Sequence, residues 1–219
     1  MIWLAFFVVR EAEVEQEEFS PILIQSVQVV DESGEVIDIA DKFSTFLDTE
    51  LPDSTWTKFT DRSGNVIPLS DFLLGLNISL PTTLDTFIID GSWELYTCTN
   101  SAASLGSDVV IAMQLQTPMT DQEVRDEARA IRQSEQDFVQ AFAPILFPEI
   151  DTNQISTALN FEYLTIPGEF LVTRKADFLT TDSQSELSIV YSWIDKELVV
   201  GNSLECVERA ISLMFDLSA

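Results

Sequence analysis

Apolar positions along this chain change their period several times, and each change marks an element. Residues 22–30, ILIQSVQVV, are rich in β-branched side chains and partly alternating, the pattern of a strand with one face buried. Residues 2–15 read in the same way: IWLAFFVV runs into an alternation of Ala12 and Val14 against Glu11, Glu13 and Glu15. The acidic EQEEFSP between the two strands is a solvated link. Next, IADKFSTFLDTEL sets Ile39, Phe43, Phe46 and Leu47 on one side of a short helix, which Leu51-Pro52-Asp53 ends. STWTKFTD alternates again, with Trp56 and Lys58 set against Thr57 and Phe59. Ser70 precedes DFLLGL as the expected N-cap of a second helix, with Asp71 at the positive helix end. After Pro81, TLDTFIID leads to the strand SWELYTCT.

From residue 104 the signals strengthen. DVVIAMQLQ (108–116) is a buried strand, and Thr120 with Glu123 forms a capping box that opens a long helix to about Ala143. Val124, Ala128, Ile131, Phe138 and Phe142 keep one face of that helix, and Pro144 and Pro148 close it. ALNFEYLTI (158–166) returns as a strand. SELSIVYSWI and ELVVG make a hairpin across Asp195-Lys196, with Leu187, Ile189, Tyr191 and Trp193 on one face. A last helix starts at Ser203 and carries Leu204, Val207, Ile211 and Phe215 inward.

Taken in order, these elements predict an α+β fold: a mainly antiparallel sheet with amphipathic helices packed on one face, preceded by a smaller α+β N-terminal part. No Pro/Gly/Ser-rich tract separates the two parts, and the whole chain has seven glycines. A soft boundary falls near residue 101, in TNSAASLGS, dividing residues 1–100 from 101–219, or the two form one continuous domain.

The pattern also repeats a loop. DESGEVI at 31–37 and DRSGNVI at 61–67 share Asp-x-Ser-Gly-x-Val-Ile, each followed four residues later by an aspartate, Asp41 and Asp71. A calcium loop of the EF-hand type needs a glycine at its sixth position and a bidentate glutamate at its twelfth. Counting from Asp31 gives Val36 and Lys42 there, and from Asp61 gives Val66 and Phe72. A turn suits the residues better: Asp accepts backbone hydrogen bonds, Gly takes the left-handed position, and Val-Ile enters a short strand. An irregular cation site stays open as the alternative.

Composition narrows the chemistry. The chain has 219 residues, of which 46% are apolar, including fifteen Phe and four Trp, so a sizeable core can form despite a net charge of −26. Thirty-seven acids against eleven bases are spread along the whole length. Such a surface repels phosphate backbones and anionic lipid, which argues against nucleic-acid binding and fits a basic partner, high salt or a cation-rich exterior. Histidine is absent, which removes Ser-His-Asp and Cys-His catalysis and nearly all zinc sites. No phosphate-binding loop motif occurs, and no pair of acids stands out for glycoside hydrolysis. Cys98 and Cys206, 108 residues apart, are either a disulfide or two partly buried thiols. IWLAFFVV is too short to span a bilayer, which takes about 20 residues, and lacks the flanks of a signal peptide. It is either the first strand or the end of a membrane anchor.

Three smaller features each have a bland reading and a functional one. Arg125, Arg129 and Arg132 hold three of the seven arginines on one helical stripe. Pairing with Asp121 and Glu135 on the same helix is favoured over an anion or acidic-partner contact. Asn77-Ile78-Ser79 is an N-glycosylation sequon, relevant in a eukaryotic secretory setting. Tyr191 and Trp193 read as core because their period is that of a half-buried strand.

Three stretches carry a resemblance: residues 51–81 (LPDSTWTKFTDRSGNVIPLSDFLLGLNISLP), 91–118 (GSWELYTCTNSAASLGSDVVIAMQLQTP) and 187–214 (LSIVYSWIDKELVVGNSLECVERAISLM). Together they resemble an uncharacterised family of candidate-phyla (patescibacterial) bacteria, whose members look like single-span membrane proteins with an extracytoplasmic α+β domain. The closing hairpin, LVVGNS and helix are also similar to bacterial envelope domains of unknown function. The resemblance covers about residues 51–215 and brings no catalytic residue or cofactor with it. It implies an extracytoplasmic location, at the cell envelope or surface, and makes IWLAFFVV the first strand after a membrane helix absent from this chain.

The sequence therefore points to a non-catalytic extracytoplasmic domain that binds or assembles with other proteins, needs no cofactor, and meets the membrane only through an N-terminal anchor. Two alternatives accompany it. One is a calcium-dependent ligand-binding or adhesion module using Asp31, Asp38 and Asp41 or Asp61 and Asp71. The other is a carboxylate-based hydrolase, since two acids can suffice for glycoside hydrolysis.

Overall fold

The computed structural model describes residues 23–29, 38–48, 55–79, 88–98, 108–115, 135–147, 160–164, 172–179, 186–194 and 197–216. They form one mixed α+β arrangement. Its strands are β1 (Leu23–Gln28), β2 (Thr55–Thr60), β3 (Ile88–Cys98), β4 (Asp108–Leu115), β5 (Asn160–Leu164), β6 (Val172–Leu179), β7 (Glu186–Ile194) and β8 (Glu197–Gly201). Its helices are α1 (Ile39–Asp48), α2 (Leu69–Gly75), α3 (Glu135–Leu146) and α4 (Leu204–Asp216).

The strands make a single sheet in the order β1-β2-β3-β4-β8-β7-β6-β5. β1 and β2 are parallel, with α1 between them in the chain, and every other pairing is antiparallel. Two meanders, β2-β3-β4 and β5-β6-β7-β8, meet where β4 pairs with β8. The strands on either side of residue 101, β3 and β4, pair from Cys98–Asp108 onward.

β4 shows how the core is divided. Val109, Ile111 and Met113 join a cluster with Phe43 and Phe46 of α1, Phe72 of α2 and Phe142 of α3. Val110 and Ala112, alternate residues of the same strand, join Cys206, Val207, Ala210 and Ile211 of α4. A strand covered on both faces needs a continuous apolar run, which DVVIAM supplies. The helices thus lie on both faces: α4 stands across the sheet from the other three, where the sequence pattern led us to expect one face for all. Amphipathicity gives each helix an apolar side without saying which sheet face receives it.

Local chemistry sets the helix ends. Asp38 caps α1, its Oδ1 accepting from the N–H groups of Ala40 (3.0 Å) and Asp41 (3.4 Å). α2 differs from the expected Ser70 cap: its N-cap is Pro68, without a side-chain cap bond, and Ser70 lies inside the first turn beside Asp71. Proline fixes the entry angle without a donor to satisfy. At the other end Asn77 adopts φ +57° and Ile78 N–H donates to Leu73 O (2.8 Å), a left-handed helix stop. Pro144, expected to end its helix, lies inside α3, which runs on to Leu146. The expected start at Thr120 falls outside the described residues, as does the predicted strand at 2–15.

β6, VTRKADFL, has no counterpart among the predicted elements. Its centre is charged, yet Arg174 is 8% exposed and Lys175 pairs with Asp177 at 2.8 Å along the strand. Burial works against the Asp177 carboxylate, but hydrogen bonds from Lys175 and Ser188 outweigh it and hold the group below its ordinary range.

The turn into α4 explains Gly201-Asn202-Ser203. A Cβ on Gly201 would stand 2.7 Å from Val207 Cγ2 and 2.8 Å from Val110 Cγ2, so only glycine lets the helix close onto β4 and β8. Ser203 Oγ accepts from Cys206 N–H (3.4 Å) at the helix start. Cys206 then reaches Cys98 at the end of β3, and the two form a disulfide with Cα atoms 5.9 Å apart. Both cysteines of the chain are used in it.

Candidate functional site

The second Ser-Gly loop is a closed turn. Asp61 Oδ1 accepts from the N–H groups of Ser63 (2.8 Å) and Asn65 (2.9 Å), and Oδ2 from the Asn65 side-chain amide (3.1 Å). Asp61 N–H donates to Asn65 O (2.8 Å) and Gly64 N–H to Asp61 O (3.1 Å). Gly64 has φ +83° with nothing within 4 Å of where a Cβ would sit, so its requirement is conformational. The Asn65 side chain, then the backbone donors of Asn65, Ser63 and Gly64, hold the Asp61 carboxyl below its ordinary value. The chain returns through a Thr60–Val66 bridge to Ile67, whose carbonyl accepts the buried indole N–H of Trp93 (2.9 Å).

The first Ser-Gly loop, with Asp31, lies outside the described residues. Of the aspartates that follow these loops, Asp38 caps α1, while Asp41 and Asp71 sit in the first turns of α1 and α2. Among the described residues no three acidic or cysteine side chains converge as a metal site would require.

The remaining sequence candidates divide as follows. Arg125, Arg129 and Arg132 fall outside the described residues. Asn77 is exposed at the end of α2. Tyr191 is buried with Leu187 and Ile189, and Trp193 is partly buried against the same cluster.

One concave site was not anticipated. On the α4 side of the sheet, Trp56 stands opposite Tyr96, Glu94 opposite Ala112, and Gln114 opposite Glu197. Beside Met214 in the last turn of α4, Trp56, Glu94, Ala112, Gln114 and Glu197 border a groove of about 400 Å³, lined also by Lys58 and Ser92. Lys58 Nζ meets Glu94 Oε1 at 2.6 Å, with both side chains about one-third exposed (37% and 33%). Trp56 is 3% exposed, its ring centroid 4.9 Å from that of Tyr96, and its buried Nε1–H has no hydrogen-bond partner among the described residues. Buried indole donors usually find acceptors, and the Nε1–H of Trp193 is likewise without one among the described residues. The groove draws on four strands and a helix spread from Trp56 to Met214. Strand alternation places Trp56 and Lys58 on one face, but no local signal joins them to Glu197.

No helix among the described residues is long and apolar enough to cross a membrane. No model of a protein family matches the chain, and no curated protein or solved structure matches it either.

Proposed function

We propose that the chain is a non-catalytic extracytoplasmic domain, held at the cell envelope by an N-terminal anchor, that binds or assembles with other proteins. The observation that carries this reading is the Cys98–Cys206 disulfide, which uses both cysteines to tie β3 to α4. Disulfides of this structural kind persist in oxidising compartments and are rare where thiols are kept reduced. The absence of histidine, the acidic surface and the resemblance to envelope domains support the same reading. In it, residues 1–100 and 101–219 act as one domain, because β3 and β4 pair across the boundary.

The calcium-dependent alternative has less support. The Asp61 carboxylate is already engaged by three donors of its own turn, and Asp38 by a helix start. A hydrolase would need its acids in the groove, where Glu94 is tied to Lys58.

Location is tested by labelling intact cells that produce the native protein with a membrane-impermeant amine reagent. Modification of the partly exposed Lys42 and Lys58 without lysis is expected. Labelling that appears only after lysis overturns the reading.

A further inference from the structure

We propose that two copies of this chain join along β1, the two strands pairing antiparallel about a two-fold axis at Ser26 so that one sheet runs through both. The inference rests on reading the chain as a domain that assembles with proteins, and it names a second copy as the partner.

Among the described strands β1 has a neighbour on one side only: it pairs with β2 and ends the sheet. Val29 N–H donates to Thr60 O (3.1 Å), and main-chain groups alternate sides from residue to residue along a strand. Leu23, Gln25 and Val27 therefore face β2 as Val29 does, while Ile24, Ser26 and Gln28 turn their N–H and C=O groups outward. The Ser26 and Gln28 side chains are exposed. The Ser26 hydroxyl is engaged with Thr60 Oγ1 (2.9 Å), so the main chain is what this edge presents.

Sheet edges are normally blunted by charges, proline or a bulge. β1, LIQSVQ, has none of these, and no charged residue occurs from Phe19 to Val30. In a chain of net charge −26, a second copy can meet this strand without setting acid against acid. A basic partner drawn by that charge finds no carboxylate on it. The opposite edge strand, β5, has Glu162 at its centre, so the same pairing there would set glutamate against glutamate.

The register closes on itself. With the axis at Ser26, Ser26 meets its own copy, and Ile24 meets Gln28 of the second copy in both directions. These are the outward-facing residues, and each such pair exchanges two N–H···O bonds, so every outward group of β1 is satisfied. A single strand pair is a small interface, so the association is weak, and the repulsion between two acidic chains opposes it until salt screens it.

The test is sedimentation equilibrium of the full chain from about 10 to 500 µM, in low salt and in about 0.5 M salt, where a monomer–dimer equilibrium that tightens with salt is expected. Ser26→Pro removes the central outward N–H without touching a bond to β2, and should weaken the dimer roughly tenfold or more. Ser26→Lys sets like charges face to face at the axis and should weaken it too. Through any other surface the same change would strengthen association, because it makes the chain less acidic. In the unaltered protein, amide exchange at Ile24, Ser26 and Gln28 should slow as concentration rises. If Ser26→Pro does not fold, Ser26→Lys and these amides still decide the matter. A chain that stays monomeric throughout overturns the proposal, as does a dimer that Ser26→Lys leaves as tight or tighter. Protection of these amides that does not depend on concentration also overturns it, since the edge would then be covered within one copy. None of these failures touches the proposed location, which the intact-cell labelling reads separately, or the binding of a different protein.

Discussion

Asn202 and Val109 exchange two hydrogen bonds: Asn202 N–H donates to Val109 O (3.2 Å), and Val109 N–H donates to Asn202 Oδ1 (2.9 Å). The side chain thereby extends the β4–β8 ladder one step past its last pair, Val110–Gly201. Its amide also donates to Leu146 O at the end of α3 (3.1 Å), so one residue joins the sheet, the helix on one face and the entry to the helix on the other.

Replacing Asn202 with alanine leaves the Val109 N–H and the Leu146 carbonyl without these partners. A loss of about 1–3 kcal/mol is expected from urea unfolding. Asn202→Asp keeps the acceptor and loses the donor, so it should fall between wild type and alanine. A variant as stable as wild type would show that this joint contributes nothing.

Gly201→Ala should destabilise by about 1–3 kcal/mol, because the new methyl meets Val207 and Val110 side chains at less than 3 Å. Trimming Val207 to alanine in the same chain makes room for it. In a double-mutant cycle the two changes should therefore cost less together than the sum of their single effects. Strict additivity would mean that the contact is relieved elsewhere.

How far these features were legible in the sequence follows from how local their causes are. The continuous apolar run of β4 announces a strand covered on both sides, and the spacing of Ile39, Phe43 and Phe46 announces the buried face of α1. The strand β6 escapes because Arg174, Lys175 and Asp177 look solvated until β5 and β7 flank them. Pro144 reads as a stop, yet α3 continues two residues past it. The face taken by α4 depends on Gly201 and on the link from Cys206 to Cys98, whose partners lie some 90 to 108 residues away in sequence. The groove is less legible still, since no segment of the chain contains enough of it to form a pattern.

The turn at Asp61 makes a pH prediction. Its carboxyl is held below the ordinary value, so its contribution to stability is complete above the unfolded value and is lost as pH falls through the lower folded one. Carboxyl titration followed by NMR should place the Asp61 midpoint below the ordinary aspartate value. Asp61→Ala should lower the melting temperature and abolish that low-pH dependence. In the same melts, calcium and EDTA at equal ionic strength should give one midpoint, and a strong calcium stabilisation would restore the cation reading of these loops.

Opening the disulfide should lower stability by roughly 2–5 kcal/mol, because it closes a loop of 108 residues. The Cys98→Ser, Cys206→Ser double variant and the reduced wild-type chain should unfold at similar denaturant concentrations. A double variant as stable as the oxidised protein would remove any structural role for the bond.

The most direct test of the account is the redox state of Cys98 and Cys206 in the native host. Cells are quenched in acid, free thiols are blocked with a maleimide, and the mass of the intact protein is read before and after reduction. Both cysteines should escape the maleimide until reductant is added, as an extracytoplasmic disulfide domain requires. Two maleimides added without reductant would place the chain in a reducing compartment and contradict the account.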